Sequence, residues 1–182
     1  YKRQDVNKIH KYNVEFSIAL FEKAIEYSIP VKYASSASVY GKIHSEYGYL
    51  KGTINPLNFY ALSKATVDYW VLDNMDRFEQ VQGFRYFNVY GNRQPIKGQY
   101  APVIGIFLRQ LENDQELTIV GDGEQRRDFV NVKDVVQANI LAATKQLDKD
   151  ALGQVYNVGS GVNYSVNELS LIHISEPTRH RG

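Results

Sequence analysis

The stretch Asn58-Phe59-Tyr60-Ala61-Leu62-Ser63-Lys64 decides how the rest of the chain is read. Tyr60 and Lys64 stand four residues apart. On a helix that spacing stacks both side chains on one face, one turn apart. A tyrosine phenol has an ordinary pKa of about 10, and a fixed ammonium beside it favours the phenolate and draws that value toward neutrality. A general base works best when its pKa lies near the working pH. Alone, the pair also fits an aromatic ring packed under an exposed lysine. What surrounds it gives it weight.

Upstream, Val14, Ile18, Leu20, Phe21, Ala24 and Ile25 recur at three- and four-residue spacing and predict an amphipathic helix over residues 12–28, stopped by Pro30. Residues 31–34 read as a short strand, left by Ser35-Ser36-Ala37-Ser38-Val39-Tyr40-Gly41. Gly48, Gly52 and Pro56 mark residues 42–57 as loop. Helical spacing resumes over 58–75 and carries Tyr60 and Lys64 in its first half. Residues 81–87 form the next expected strand, and Asn88-Val89-Tyr90-Gly91 leaves it as Ser36 leaves the earlier one. Ligands of open α/β sheets sit outside the carboxyl ends of the strands, where Ser36, Asn88 and Tyr90 fall.

A loop over 92–100 leads to a helix over 103–111, a small strand over 117–120, and the turn Gly121-Asp122-Gly123. Residues 127–132 read as a strand, and Asp134 or Asn131 can cap a helix running to about residue 146. A last strand over 154–158 is closed by Gly159-Ser160-Gly161, and residues 165–169 look like a capped helix start. This alternation of helix and strand predicts an α/β fold with a doubly wound parallel sheet.

Composition bounds the function. With 182 residues the chain can bury a sizeable core, and 43% apolar with 23% charged residues is ordinary for a globular protein. A formal charge of +1 gives no sign of nucleic acid or an anionic membrane as partner. The absence of cysteine excludes disulfides and thiolate metal sites and suits a reducing, cytoplasmic setting. No metal site is expected, and no apolar run approaches membrane-spanning length. Fourteen tyrosines, many near loops, suit a protein that handles polar ligands. The first residues contain neither an initiator methionine nor a signal-peptide core.

Ser35-Ser36-Ala37-Ser38-Val39-Tyr40-Gly41, Tyr60-x-x-x-Lys64, Arg85-Tyr86-Phe87-Asn88-Val89-Tyr90-Gly91 and Gly121-Asp122-Gly123-Glu124-Gln125-Arg126-Arg127-Asp128-Phe129 occur in this order. Together they resemble the extended short-chain dehydrogenase/reductase family, in its nucleotide-sugar epimerase and dehydratase branch, over residues 9–168. The resemblance implies an incomplete Rossmann-like sheet with part of a smaller substrate-binding domain. It assigns residues 1–91 and 127–161 to the Rossmann unit, and 92–126 and 162–169 to the substrate domain. It implies NAD or NADP as cofactor, a nucleotide sugar as substrate, a role in carbohydrate metabolism, and a homo-oligomer at full length.

The resemblance also implies roles. Tyr60 is the acid or base, and Lys64 holds the nicotinamide ribose and lowers the tyrosine pKa. Ser36 bonds the reacting hydroxyl, with Ser38 an alternative donor. Ala34, Ser35, Tyr86 and Phe87 lie toward the cofactor. Asn88 and Arg127 contact the substrate diphosphate, since a guanidinium fork suits phosphate oxygens. Arg126 is the other member of that pair and is expected to face solvent. Asn13 matches a structural asparagine. The family's Gly-x-x-Gly-x-x-Gly turn is absent from these 182 residues, which implies that the first part of the Rossmann unit lies outside this sequence.

The branch leaves alternatives. The Gly121-Asp122-Gly123-Glu124-Gln125 stretch looks like UDP-hexose 4-epimerases. Glu26-Tyr27-Ser28-Ile29-Pro30, Asn55-Pro56-Leu57-Asn58 and the Gly83 to Gly91 stretch look like ADP-heptose 6-epimerases. In those enzymes Lys97, six residues past Gly91, would be a second catalytic group. Dehydratases usually carry acids beside the serine motif, and Ser36-Ala37-Ser38 has none. A non-catalytic NAD(P)-binding regulator is the remaining alternative. Finally, Ser170-Leu171-Ile172-His173-Ile174-Ser175-Glu176-Pro177-Thr178-Arg179 abandons helical periodicity and resembles a translated sequencing adapter. Residues 170–182 are therefore expected to be a non-native tail that does not pack, and His173 and His180 to carry no function.

Overall fold

The computed structural model describes residues 5–41, 54–98, 101–145 and 154–172. The chain forms two compact units, residues 1–87 with 138–158, and residues 88–137 with 159–182. In chain order the helices are α1 Val6–Ile9, α2 Phe16–Glu26, α3 Phe59–Asp73, α4 Val103–Glu112, α5 Val132–Thr144 and α6 Val166–Ile172. The strands are β1 Val31–Ser36, β2 Val81–Tyr86, β3 Asn88–Tyr90, β4 Arg126–Asn131, β5 Val155–Val158 and β6 Asn163–Ser165. A π-helical turn, His10–Glu15, joins α1 to α2, and a 3₁₀ turn, Ala37–Tyr40, follows β1.

In the first unit the sheet is parallel, in the order β1-β2-β5. The β1–β2 register runs from Val31 opposite Val81 to Ser36 opposite Tyr86. Helix α3 starts where the sequence places it because the Asn58 side chain accepts a hydrogen bond from the Ala61 amide at 2.9 Å. Its buried face carries Ala61, Ala65, Val67 and Val71. Val67 and Val71 join Val14, Phe21, Val31, Tyr33 and Val81 in one core, with Trp70 and Phe78 packed against it. Val39, Tyr40 and Ala65 form a second cluster with Phe87.

The second unit holds sheet order β3-β4-β6, with β3–β4 parallel and β4–β6 antiparallel. Its α6 opens on a capping box. Ser165 Oγ accepts from the Glu168 amide at 3.0 Å, and the Glu168 carboxylate accepts from the Ser165 amide at 2.8 Å. Those bonds and Arg126 hold the Glu168 carboxyl below its ordinary pKa.

Several expectations change. Residues 117–120 form no strand, because Gln110 of α4 bonds Thr118 at both its amide and hydroxyl and takes the place of a ladder partner. Asn88–Tyr90 does not simply leave β2 but pairs as β3, and β6 is a strand that the pattern does not predict. Asn131, not Asp134, bonds the first turn of α5, accepting from the Lys133 amide at 3.0 Å. β4 pairs within the second unit, and the first segment of the first unit runs to Phe87. α6 continues through Ile172, past the expected break at Ser170, with Leu171 exposed. Most of the expected loop over 42–57, and the tail beyond 172 with His173 and His180, lie outside the described residues.

Gly83 of β2 has no alternative side chain, for a Cβ there would stand 2.5 Å from the Tyr33 ring. An alanine usually stabilises a strand relative to glycine. Here Gly83→Ala should instead destabilise the chain by about 1–3 kcal/mol, the usual range for overpacking. A lowered urea midpoint with unchanged slope would be the sign; an unchanged midpoint would mean that Tyr33 moves freely.

Candidate active site

Three elements of the first unit build the candidate site. β1 delivers Ser36 at its carboxyl end, the 3₁₀ turn delivers Ser38, and the first turns of α3 deliver Tyr60 and Lys64. Lys64 Nζ lies 6.0 Å from the centroid of the Tyr60 ring and donates to the Ala34 carbonyl at 2.9 Å. That bond ties α3 to β1 two residues before Ser36. Tyr60 sits on the surface, 37% exposed. Burial lowers the pKa of Lys64, and the Asp68 carboxylate one turn on opposes part of that shift.

Ser36 Oγ accepts from the Ser38 amide at 3.2 Å and from Ser38 Oγ at 2.9 Å. With both lone-pair directions filled, the Ser36 proton is left to donate elsewhere. Asn13, in the π turn, donates to Ser63 Oγ at 3.0 Å, and Ser63 donates to the Tyr60 carbonyl at 2.7 Å. π turns recur at functional sites, and this one holds the helix that carries Tyr60.

The cofactor-side expectations divide. Ala34 is exposed and lends its carbonyl to Lys64. Ser35 is buried and donates to Asp68 at 3.0 Å, so its hydroxyl serves the interior rather than a ligand. Tyr86 donates to Asn139 at 2.8 Å, and Phe87 packs against the Val39 cluster. Sequence reasoning missed Asp68. It is 3% exposed and accepts from Tyr33, Ser35 and twice from Arg85. A charged residue on the apolar face of α3, four after Lys64, was the available signal.

In the second unit a cavity of about 350 Å³ is lined by Asn88, Tyr90, Phe107, Gln125, Arg127 and Phe129, among others. Asn88 donates to the Asp128 carbonyl at 2.8 Å. Arg126 is held by Glu168, at 2.8 and 3.2 Å, and by Asn163. The Arg127 side chain donates to the Arg126 carbonyl at 2.7 Å. Lys97 is exposed on the loop after β3 and does not line the cavity.

The donor chemistry of Ser36, Tyr60 and Lys64 fits the nicotinamide-ribose end of a dinucleotide. The glycine-rich turn that would cradle its pyrophosphate is not in this sequence. A parallel sheet with a Tyr–Lys pair on the crossover helix defines a short-chain dehydrogenase/reductase type of protein. Residues 2–159 match the NAD dependent epimerase/dehydratase family, and the chain belongs to that family, within the extended group its motifs resemble.

ADP-L-glycero-D-manno-heptose-6-epimerase of Alkalilimnicola ehrlichii is 38% identical over 87% of this chain and 50% of its own length. A UDP-N-acetylglucosamine 4-epimerase structure from Methanobrevibacter ruminantium is similar at TM-score 0.87 and 30% identity, covering 97% of this chain and 56% of that one. The heptose 6-epimerase structure from Helicobacter pylori is similar at TM-score 0.80 and 34% identity, covering 95% and 54%. The chain spans about half the length of the curated relatives it matches. Among the described residues no helix is long and apolar enough to cross a membrane.

The Lys64 amine gives a test of the geometry. Unfolding returns it to its ordinary value, so between the lowered and ordinary pKa the unfolded chain binds more protons and stability rises with pH. Lys64→Met removes that dependence. The wild-type chain should therefore gain stability relative to Lys64→Met as pH rises toward about 10.4, read from urea midpoints across a pH series. A constant difference would mean that the amine is not desolvated.

Proposed function

We propose that this chain is the catalytic part of an NAD(P)-dependent nucleotide-sugar epimerase. The observation that carries the reading is Lys64 beside Tyr60 on α3, bonded to the strand end that bears Ser36. Tyr60 takes the proton of a sugar hydroxyl, Ser36 donates to the reacting oxygen, and the Lys64 ammonium stands beside the phenol ring. A nicotinamide bound beside Tyr60 and Lys64 would supply the hydride acceptor and donor for the same carbon, so that hydride return to the opposite face inverts it. Tyr60 gives the proton back to the oxygen. Atoms and electrons balance, and the substrate alone is inverted.

Asn88 and Arg127 bind the substrate diphosphate, and the aromatic walls of their cavity suit a nucleoside. Within the branch, the ADP-heptose 6-epimerase reading is favoured by the curated relative at 38% identity. The UDP-sugar 4-epimerase reading is favoured by the structural likeness at TM-score 0.87. Lys97 is the second acid/base only in the first. A dehydratase would want acids beside Ser36, and Ala37 and Ser38 supply none. A binding-only regulator has no use for Ser36, Tyr60 and Lys64 together. The cysteine-free composition suits the cytoplasm.

We also propose a homo-oligomer. Tyr12, Phe16 and Leu20 are more than half exposed and recur every four residues along the π turn and α2. Leu62, Tyr69 and Leu72 form a second exposed apolar stripe on α3. A second copy laid on these two helices would bury both.

In the full-length protein, Tyr60→Phe should lower kcat on its nucleotide sugar about 100- to 10,000-fold, the range for losing an acid/base group. Lys97→Ala should cut kcat if two groups transfer protons; a raised KM at near-normal kcat moves the reading to a 4-epimerase. NAD(P) binding without turnover on any nucleotide sugar would leave the regulator. Phe16→Glu with Leu20→Glu should yield monomers by light scattering, and an unchanged mass would place the interface elsewhere.

A further inference from the structure

One buried ion pair of the first unit has no part in the proton transfers above. Asp68 Oδ2 accepts from Arg85 Nε at 3.0 Å, Arg85 Nη2 at 2.9 Å and Ser35 Oγ at 3.0 Å, while Oδ1 accepts from Tyr33 at 3.1 Å. Arg85 Nη1 donates to the Tyr40 hydroxyl at 2.9 Å, and the guanidinium lies 5.0 Å from the centroid of the Tyr40 ring. Tyr40 donates to Asn157 at 2.6 Å. The side chains of the pair are 3% and 13% exposed.

A buried pair is a poor source of stability, since its desolvation cost offsets the attraction and apolar replacements often do as well. Its position suggests a different use. Ser35 precedes Ser36, Tyr40 closes the turn that carries Ser38, and Asp68 lies one helical turn beyond Lys64. Through these contacts the pair locks β1, the 3₁₀ turn, α3, β2 and β5 to one another. It also settles the charge beneath the lysine. A lone buried carboxylate there would draw the ammonium into an ion pair of its own. With Arg85 forked on Asp68, Lys64 bonds the neutral Ala34 carbonyl instead.

We propose that Asp68 and Arg85 are positioning residues for the Tyr60, Lys64 and Ser36 set, holding the three in register and keeping the Lys64 charge unpaired for the phenol. The catalytic half of this rests on the epimerase reading; the Lys64 half does not. Two variants test it, Asp68→Asn, and the apolar double replacement Asp68→Leu with Arg85→Met. The first readout is the Lys64 titration in the chain, followed by NMR of ¹³C-methylated lysine with Lys64→Arg for assignment. The second is kcat and KM in the full-length enzyme.

Asp68→Asn should move the Lys64 titration to lower pH, because it removes the negative charge that supports the ammonium. The double variant should keep its urea midpoint yet lose kcat about 100-fold at little change in KM, the scale expected from slight misplacement of reacting groups. If the Lys64 titration stays where it was in Asp68→Asn, or the double variant turns over like wild type, the pair is packing and the proposal falls. Should the double variant fail to fold, Asp68→Asn still decides. Should the wild type turn over no nucleotide sugar, the epimerase reading fails by itself, and the titration still decides the placement of Lys64.

Discussion

Parallel pairing of β1 with β2 is the constraint on which the first unit depends. Parallel neighbours cannot be joined by a hairpin, so the chain must leave one carboxyl end, cross over, and return to the opposite end before pairing. The crossover here contains the 3₁₀ turn and α3. Ser36 and Ser38 leave from the carboxyl edge of β1, and α3 begins its return with Tyr60 and Lys64. β2 then runs beside β1 and brings Arg85 opposite Ser35. Groups 50 residues apart in sequence meet because the topology leaves the chain no other route.

What was legible in the sequence is what is determined locally. α3 announces itself through apolar residues at helical spacing, and Tyr60 and Lys64 follow from that spacing alone. β1 and β2 are short apolar runs with clear ends. By contrast β3 and β6 are three residues each, and what makes them strands is a partner, β4, distant from at least one of them in the chain. The apolar run 117–120 looks like a strand, yet its amide hydrogen bond goes to a side chain of α4. Arg126 was expected to face solvent, and its partner Glu168 could not be read locally because it stands 42 residues later.

Ser35 was legible from the pattern of β1. Strand alternation puts it on the same face as Val31 and Tyr33, inward, and leaves Ser36 on the other. The period-two pattern of β1 is enough by itself to separate the two serines. Asp68 is a different case. A charge on an apolar helix face is visible, but its meaning depends on Tyr33, Ser35 and Arg85, which come from two strands and converge only in the folded unit.

Both units treat their cations by one rule. Where a cation faces a carboxylate, it is spent on structure. Arg85 is forked onto Asp68, and although burial works against its charge, its bonds to Tyr40 and Asp68 hold its pKa above the ordinary value. Arg126 is forked onto Glu168. Where a cation bonds a neutral carbonyl, its charge survives: Lys64 on Ala34 and Arg127 on Arg126. A carbonyl orients a donor without cancelling its charge, and a surviving charge in a partly desolvated place acts strongly on its neighbours. Lys64 stands beside a phenol, and Arg127 lines a cavity. Arg85 occupies Asp68, and in β4 successive side chains take opposite faces, so Arg126 meets Glu168 while Arg127 lines the cavity.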